Sequence, residues 1–137
     1  MTSKLIADFL SEVHIAILAI HCENRAPHST PVWYQYEPND TLWFMADPKT
    51  QKGKLMEIGT PVSLVMQTET APYRYVSIAG QISDVAKGDM EQELRPISRR
   101  YLGVKGGDEY VASFENWSSN RYTIKLDRVM SMGISED

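Results

Sequence analysis

"STPVWYQYEPNDTLWFMADPKTQKGK", residues 29 to 54, is the stretch on which the fold turns. Its first part alternates: Val32, Tyr34 and Tyr36 fall on one face of an extended segment and Trp33 and Gln35 on the other, the two-residue period of a strand. "PND" (38–40) turns the chain, and "TLWFMA" (41–46) makes a second apolar strand. After the break at "DPKT" (47–50), Gln51 to Ile58 is rich in helix formers and stops at Gly59, with Pro61 two residues on. The stretch therefore reads strand, turn, strand, short helix, with Lys49, Lys52 and Lys54 crowded at the helix start.

The segments on either side extend the pattern. Ser3 caps a helix whose apolar positions Leu5, Ile6, Phe9, Leu10 and Val13 recur at three- and four-residue spacing, suited to covering one end of a core. "HIAILAIH" (14–21) reads as a strand and "CENRAPHS" (22–29) as a turn. "PVSLVMQTE" (61–69) and "YRYVSIAGQISDVA" (73–86) are further strands, the second kinked or bulged at Gly80. "KGDMEQELRPISRRYLG" (87–103) is helical, with Asp89 as cap and Pro96 breaking or restarting it; "GVKGG" (103–107) reads as a turn and "DEYVASFENW" (108–117) as a short helix. "RYTIKLDRVMSMGI" (121–134) closes the chain as a long strand. Roughly six strands joined by short turns, with helices as plugs and connectors, define a mainly β chain folded as an antiparallel barrel rather than a doubly wound sheet.

Residues 1–137 form one domain, and 42% hydrophobic residues supply an ordinary core. With 14 basic against 18 acidic residues and a net charge of −4, no broad basic face is implied, which argues against a general nucleic-acid binder. Cys22 is the only cysteine, so an internal disulfide and a cysteine-rich zinc site are both excluded, and a reducing cytoplasm is the fitting compartment. Cys22 also has no neighbouring base or helix start to make it a nucleophile. The N-terminus lacks the apolar run and cleavage site of a signal peptide, and "IAILAI" (15–20) is too short to span a bilayer. His14, His21 and His28 recur every seven residues but fall on two strands and a turn, with no carboxylate or cysteine at ligand spacing, so no metal is expected.

Two readings of the lysine cluster stand side by side. A helix start offers unpaired N–H groups and the positive end of its dipole, so it holds anions well; Thr50 adds a hydroxyl, and Lys52 in the first turn is disfavoured unless an anion offsets it. The plainer reading makes the lysines a solvated face with Asp47 or Thr50 as an ordinary N-cap. A strand carrying Thr30, Trp33 and Gln35 beside the one that feeds this helix would bring aromatic and polar groups near the same spot, which suits a phosphorylated aromatic ligand. The other aromatics, Tyr34, Tyr36, Trp43, Tyr73, Tyr75 and Trp117 among them, suit the core or a subunit interface. Arg95, Arg99 and Arg100 sit on a helix with partners such as Glu91 four residues from Arg95, and read as solvated.

Residues 29–54 resemble the flavin-binding half of the pyridoxamine 5'-phosphate oxidase-related family, the FMN-binding split barrels. That family has a strand of the form Arg-x-Val-Leu-Leu-Lys, a turn, an apolar strand ending in Tyr-Thr, and Ser-Arg-Lys-x-x-Gln at a helix start. Laid on without gaps, Thr30 falls on the arginine, Val32 on the valine and Gln35 on the lysine. Met45 and Ala46 fall on Tyr-Thr, and Thr50, Gln51 and Lys52 on Ser-Arg-Lys, while Tyr75 falls near a flavin-touching glutamine and Trp117 is a candidate for a family tryptophan. Thr30 and Gln51 thus stand where the family keeps arginines, whose bidentate phosphate contacts a lysine does not reproduce. The substrate motif Arg-Leu-His has as its nearest counterpart Arg121-Tyr122-Thr123, without the histidine, so vitamin B6 oxidation is not the expected activity.

The resemblance implies a six-stranded antiparallel split barrel that forms a homodimer with each cofactor in a groove between subunits. It implies non-covalent FMN and hydride or electron exchange with a small substrate. Lys52, Thr50 and the helix start would hold the phosphate, and Thr30, Val32 and Gln35 would line the ribityl chain and ring edge, with Trp33 also counted among the cofactor-binding residues. No side chain stands out as a catalytic acid or base. A deazaflavin-dependent reductase on the same fold, and a non-catalytic flavin-binding or general-stress protein, are the alternatives.

Overall fold

The computed structural model describes residues 2–134. Helix α1 (Lys4–Ser11) is capped by Ser3, whose side chain accepts from the Ile6 N–H, and it buries Phe9 and Leu10. Strands β1 (Ala16–Ile20), β2 (His28–Val32), β3 (Gln35–Glu37) and β4 (Thr41–Ala46) lead to helix α2 (Gln51–Leu55). Strands β5 (Pro61–Gln67) and β6 (Tyr75–Lys87), a π-helical turn (Met90–Leu94), helix α3 (Arg95–Ala112) and strand β7 (Asn120–Met132) complete the described chain.

All seven strands belong to one sheet, in the order β2-β1-β5-β6-β7-β4-β3, and every pairing is antiparallel. Its two edges, β2 and β3, are consecutive in the chain and joined only by Trp33 and Tyr34. That link spans at most about 11 Å from Val32 to Gln35. Laid flat, a sheet of this many strands would separate its edges by about 29 Å. The sheet must therefore curl until its edges meet, and the outcome is a split barrel.

Alternation fills the barrel. Ala16, Leu18 and Ile20 of β1, Leu42 and Phe44 of β4, Leu64 and Met66 of β5, Val76, Ile78 and Ile82 of β6 and Tyr122 and Ile124 of β7 all point inward and are buried. Each large apolar side chain so enclosed contributes about 1.5–3 kcal/mol. Helix α1 plugs one end, where the Tyr34 hydroxyl donates to the Leu10 carbonyl at 2.8 Å. Strands β6 and β7 pair over their whole length, with register shifts between Ala79 and Gly80 and between Ile82 and Asp84, so the bulge at Gly80 is where the sequence placed it.

Three expectations are corrected. The returning strand at 29–37 is two strands, which raises the count among the described residues from six to seven. Its alternation survives, but Pro31 has no N–H to donate, and the Tyr34 N–H goes to the Tyr101 hydroxyl at 3.1 Å instead of to a neighbouring strand. Helix α2 ends at Leu55 rather than Ile58, because the Met56 N–H folds back to the Gly53 carbonyl. The turn expected at 103–107 is instead a kink inside α3: Gly103 takes φ 79° and ψ 169°, and the helix resumes to Ala112. Arg95 and Arg99, before the kink, both bind Asp108 after it at 2.8 Å, which clamps the two halves together.

Candidate functional site

A cavity of about 780 Å3 opens where the end of β4, the start of α2, the β2–β3 link and α3 meet. From the barrel come Pro31, Val32, Trp33, Met45 and Ala46; from the turn and α2 come Asp47, Thr50 and Lys52; from the chain around α3 come Leu94, Ile97, Tyr110, Phe114 and Trp117. Volume and a largely apolar lining with a few polar groups at one end are those of a small-molecule site.

The three lysines separate in space. Lys49 and Lys54 are exposed and lie outside the lining, whereas Lys52 is half-buried and lines the cavity. Burial pushes the Lys52 ammonium below its usual 10.5. Such a cation is at a disadvantage in the free protein and gains most from an arriving anion.

The turn before α2 is built by its own side chains. Asp47 Oδ1 accepts from the Lys49 N–H at 2.9 Å, and the Thr50 hydroxyl donates to the Asp47 carbonyl at 2.6 Å while accepting from the Gly53 N–H at 3.3 Å. Thr50 is thus the N-cap, and its proton is already engaged; it shapes the turn beside the cavity instead of supplying a free donor. With the Thr50 N–H on the Asp47 carbonyl and the Gly53 N–H on Thr50, the amides of Gln51 and Lys52 are left without an intrahelical acceptor. The start of α2 thus offers the Lys52 ammonium and two amides as donors.

Val32, Trp33, Met45, Ala46, Thr50, Lys52 and Trp117, all singled out in the sequence, are brought together here. The other named positions lie off the lining. Thr30 pairs with Leu18 in the β1–β2 ladder, and Gln35 pairs with Trp43 and turns its amide to the Tyr36 carbonyl at 3.4 Å. The Gln51 side chain is exposed, and Tyr75 opens β6 opposite Gln67 and Met132.

The sequence reading missed the α3 wall. Tyr110 in the last turn of α3 and Phe114, just past the helix end, have rings 5.1 Å apart edge to face, and the Tyr110 ring lies 5.5 Å from Trp33. Their four-residue spacing was the available signal, obscured by the turn reading of the glycines before them. Gly88 was also missed: a Cβ there would press on Met45 Cε, the free end of a flexible side chain, and come 3.0 Å from the Ser119 carbonyl oxygen and the Trp117 ring, so a larger residue makes its neighbours shift.

The arginines of α3 take no part in the lining. Arg95 binds Glu91 and Asp108, Arg99 binds Asp108, and Arg100 donates to the carbonyls of Ser11 and Glu12 at 3.0 and 2.7 Å. Arg121 is held by Glu93 at 2.5 Å. Among the described residues no group of three or more His, Cys, Asp or Glu is placed to hold a metal ion.

Fold and cavity together are those of a split barrel with a pocket of small-molecule size and an aromatic wall. A family model described as Pyridoxamine 5'-phosphate oxidase matches residues 2–128, and the chain belongs to that family. No functionally curated protein matches the chain. Among solved structures it is similar to the conserved hypothetical protein Rv2991 from Mycobacterium tuberculosis, at 23% identity and a TM-score of 0.69, covering 96% of this chain and 84% of that one. It is also similar to an F420 reductase, at 15% identity and a TM-score of 0.61 over 90% of this chain and 94% of the other. A FAD binding protein from Mycobacterium smegmatis matches at 11% identity and a TM-score of 0.64, over 96% of each chain. At these identities the likenesses establish the fold.

Proposed function

We propose that the protein binds FMN non-covalently and exchanges hydride or electrons with a small substrate. The observation that carries this reading is Lys52: a half-buried ammonium, its pKa lowered by burial, lining a cavity whose wall also carries Trp33, Tyr110, Phe114 and Trp117. Lys52 and the amides of Gln51 and Lys52 hold the phosphate; Val32, Met45, Ala46 and Trp117 flank the ribityl chain and ring; Trp33 and the α3 wall keep water from the ring face. The flavin, when bound, supplies the redox chemistry, and the chain supplies orientation and a dry, electrostatically defined site.

Family membership supports a flavin, and a structural relative named F420 reductase supports the deazaflavin cofactor as the second reading, in the same cavity and with the same phosphate end. A non-catalytic flavin-binding or general-stress role is the third, motivated by the missing histidine after Arg121-Tyr122. Vitamin B6 oxidation is not part of the proposal.

We further infer a homodimer with the cofactor at the subunit boundary. Ile17, Val65, Ser77 and Met130 form one register row across the outer face of β1, β5, β6 and β7, and Ile17 and Met130 are 43% and 50% exposed. An apolar row on an open sheet face is suited to a second copy. No helix among the described residues is long and apolar enough to cross a membrane, and a lone cysteine suits a reducing cytoplasm.

The visible spectrum of freshly purified protein, before and after loading with FMN and desalting, tests the reading. Retained flavin absorbance that responds to reduced nicotinamide cofactors supports an oxidoreductase, and retained absorbance without turnover on any substrate supports the binding role. Protein that stays colourless with both FMN and the deazaflavin overturns all three.

A further inference from the structure

We infer that the substrate admitted beside the cofactor is an uncharged, flat, apolar molecule, received by Trp33, Tyr110 and Phe114. This rests on the flavin reading for the assignment of Lys52 to a phosphate, but the receiving wall is a feature of the cavity by itself.

Charge in the cavity is confined to one end. Among its described lining residues only Asp47 and Lys52 are charged, one directly after β4 and the other in α2. If Lys52 holds the cofactor phosphate, this chain's own lining offers no second cation to a charged group on another ligand. The arginines of α3 are engaged by Glu91, Asp108 and the carbonyls of Ser11 and Glu12. Bringing an unpaired phosphate or carboxylate against the α3 wall would carry the full cost of desolvating it.

The wall is shaped for a flat apolar face. Tyr110 at the end of α3 and Phe114 just past it stack edge to face and remain 39% and 36% exposed, an arrangement that leaves aromatic surface in water until a ligand covers it. Trp33 is fixed behind them by stacking on Tyr101, with centroids 5.0 Å apart and planes 7° from parallel. Ile15, Leu94 and Ile97 continue the apolar lining. Offset and edge-on aromatic contacts select planar partners, and the site has the area to make them.

The test uses FMN-loaded protein and two probes of the same ring, 2-naphthol and 2-naphthyl phosphate, with binding followed by equilibrium dialysis. Naphthol is expected to bind more tightly than its phosphate ester by at least about tenfold, the discrimination an apolar pocket exerts against an unpaired charge. With FMN kept saturating, Tyr110→Ala and Phe114→Ala weaken naphthol binding several-fold. Phe114→Arg, at a partly exposed position, supplies the missing cation and reverses the preference toward the ester. Equal binding of the two probes, or naphthol binding unchanged in all three variants, overturns the inference. Should FMN fail to bind, the flavin reading falls on its own, and the naphthol comparison in the unloaded protein, with Lys52→Ala removing the remaining cation, still decides this one.

Discussion

The indole of Trp33 stacks on the phenol ring of Tyr101, with centroids 5.0 Å apart and planes 7° from parallel. The same phenol accepts from the Tyr34 N–H at 3.1 Å and donates to the His14 carbonyl at 2.6 Å. One side chain of α3 therefore holds the two-residue link that closes the barrel, and sets the angle of Trp33 in the cavity. Tyr101→Phe keeps the stack but strands the Tyr34 N–H, and the expected loss is about 1–3 kcal/mol. Urea denaturation should show a lower midpoint with an unchanged m-value; an unchanged midpoint would mean that the link is held by packing alone.

Lys52→Ala should weaken FMN binding by about 1.5–3 kcal/mol, the worth of a charged hydrogen bond, and leave riboflavin affinity nearly unchanged. The pH dependence has a definite sign. The free-protein pKa of Lys52 lies below 10.5 and a bound phosphate favours the ammonium, so FMN affinity is complete below that lowered pKa and falls as pH rises through it. Folding stability of the unloaded protein runs the other way, rising with pH between the lowered pKa and 10.5, because the unfolded chain holds the proton longer. Isothermal titration across alkaline pH checks the first statement, and thermal melts of unloaded protein check the second.

Asp108 bridges the kink in α3, and the hydrogen bonds from Arg99 and Arg95 hold its carboxyl at about 2, below the ordinary 3.8. Because the folded value is the lower one, the contribution is complete above 3.8 and is lost as pH falls through about 2. Asp108→Asn should lower the Tm at neutral pH and flatten the acid limb of the stability curve in that window. A parallel acid limb in the variant would remove the clamp from the account.

Gly88→Ala should overpack the floor under Met45 and Trp117, at about 1–3 kcal/mol, and displace the Trp117 ring. A shift in tryptophan emission together with weaker FMN binding is the expected result. Gly59→Ala, where a Cβ meets nothing within 4 Å but φ is +94°, should cost backbone strain and stability without weakening FMN binding.

Much of this was legible in residues 29–54, because alternation of Val32, Tyr34 and Tyr36 and the turn at "PND" are local signals. The split between β2 and β3 was not, since it depends on Tyr101, 67 residues away from Tyr34, taking over one backbone hydrogen bond. The continuity of α3 was hidden for a similar reason: "GVKGG" is turn composition, and the clamp that carries the helix past Gly103 is made by Arg95, Arg99 and Asp108 in three dimensions. At the site, Lys52 was picked out by charge at a helix start, yet nothing local distinguished it from Lys49 and Lys54. Burial made that distinction, and burial comes from how the β4 end meets α3. Tyr110 and Phe114 escaped notice because a short helix after a glycine run gave no reason to face them toward the cavity.

The most direct test is the ratio of FMN to riboflavin affinity, measured by quenching of flavin fluorescence in the full chain and in Lys52→Ala. A phosphate held by Lys52 predicts that FMN binds at least about tenfold more tightly than riboflavin in the parent, with the preference largely lost in the variant. Equal affinities for FMN and riboflavin in the parent, or a preference that survives Lys52→Ala, would contradict it.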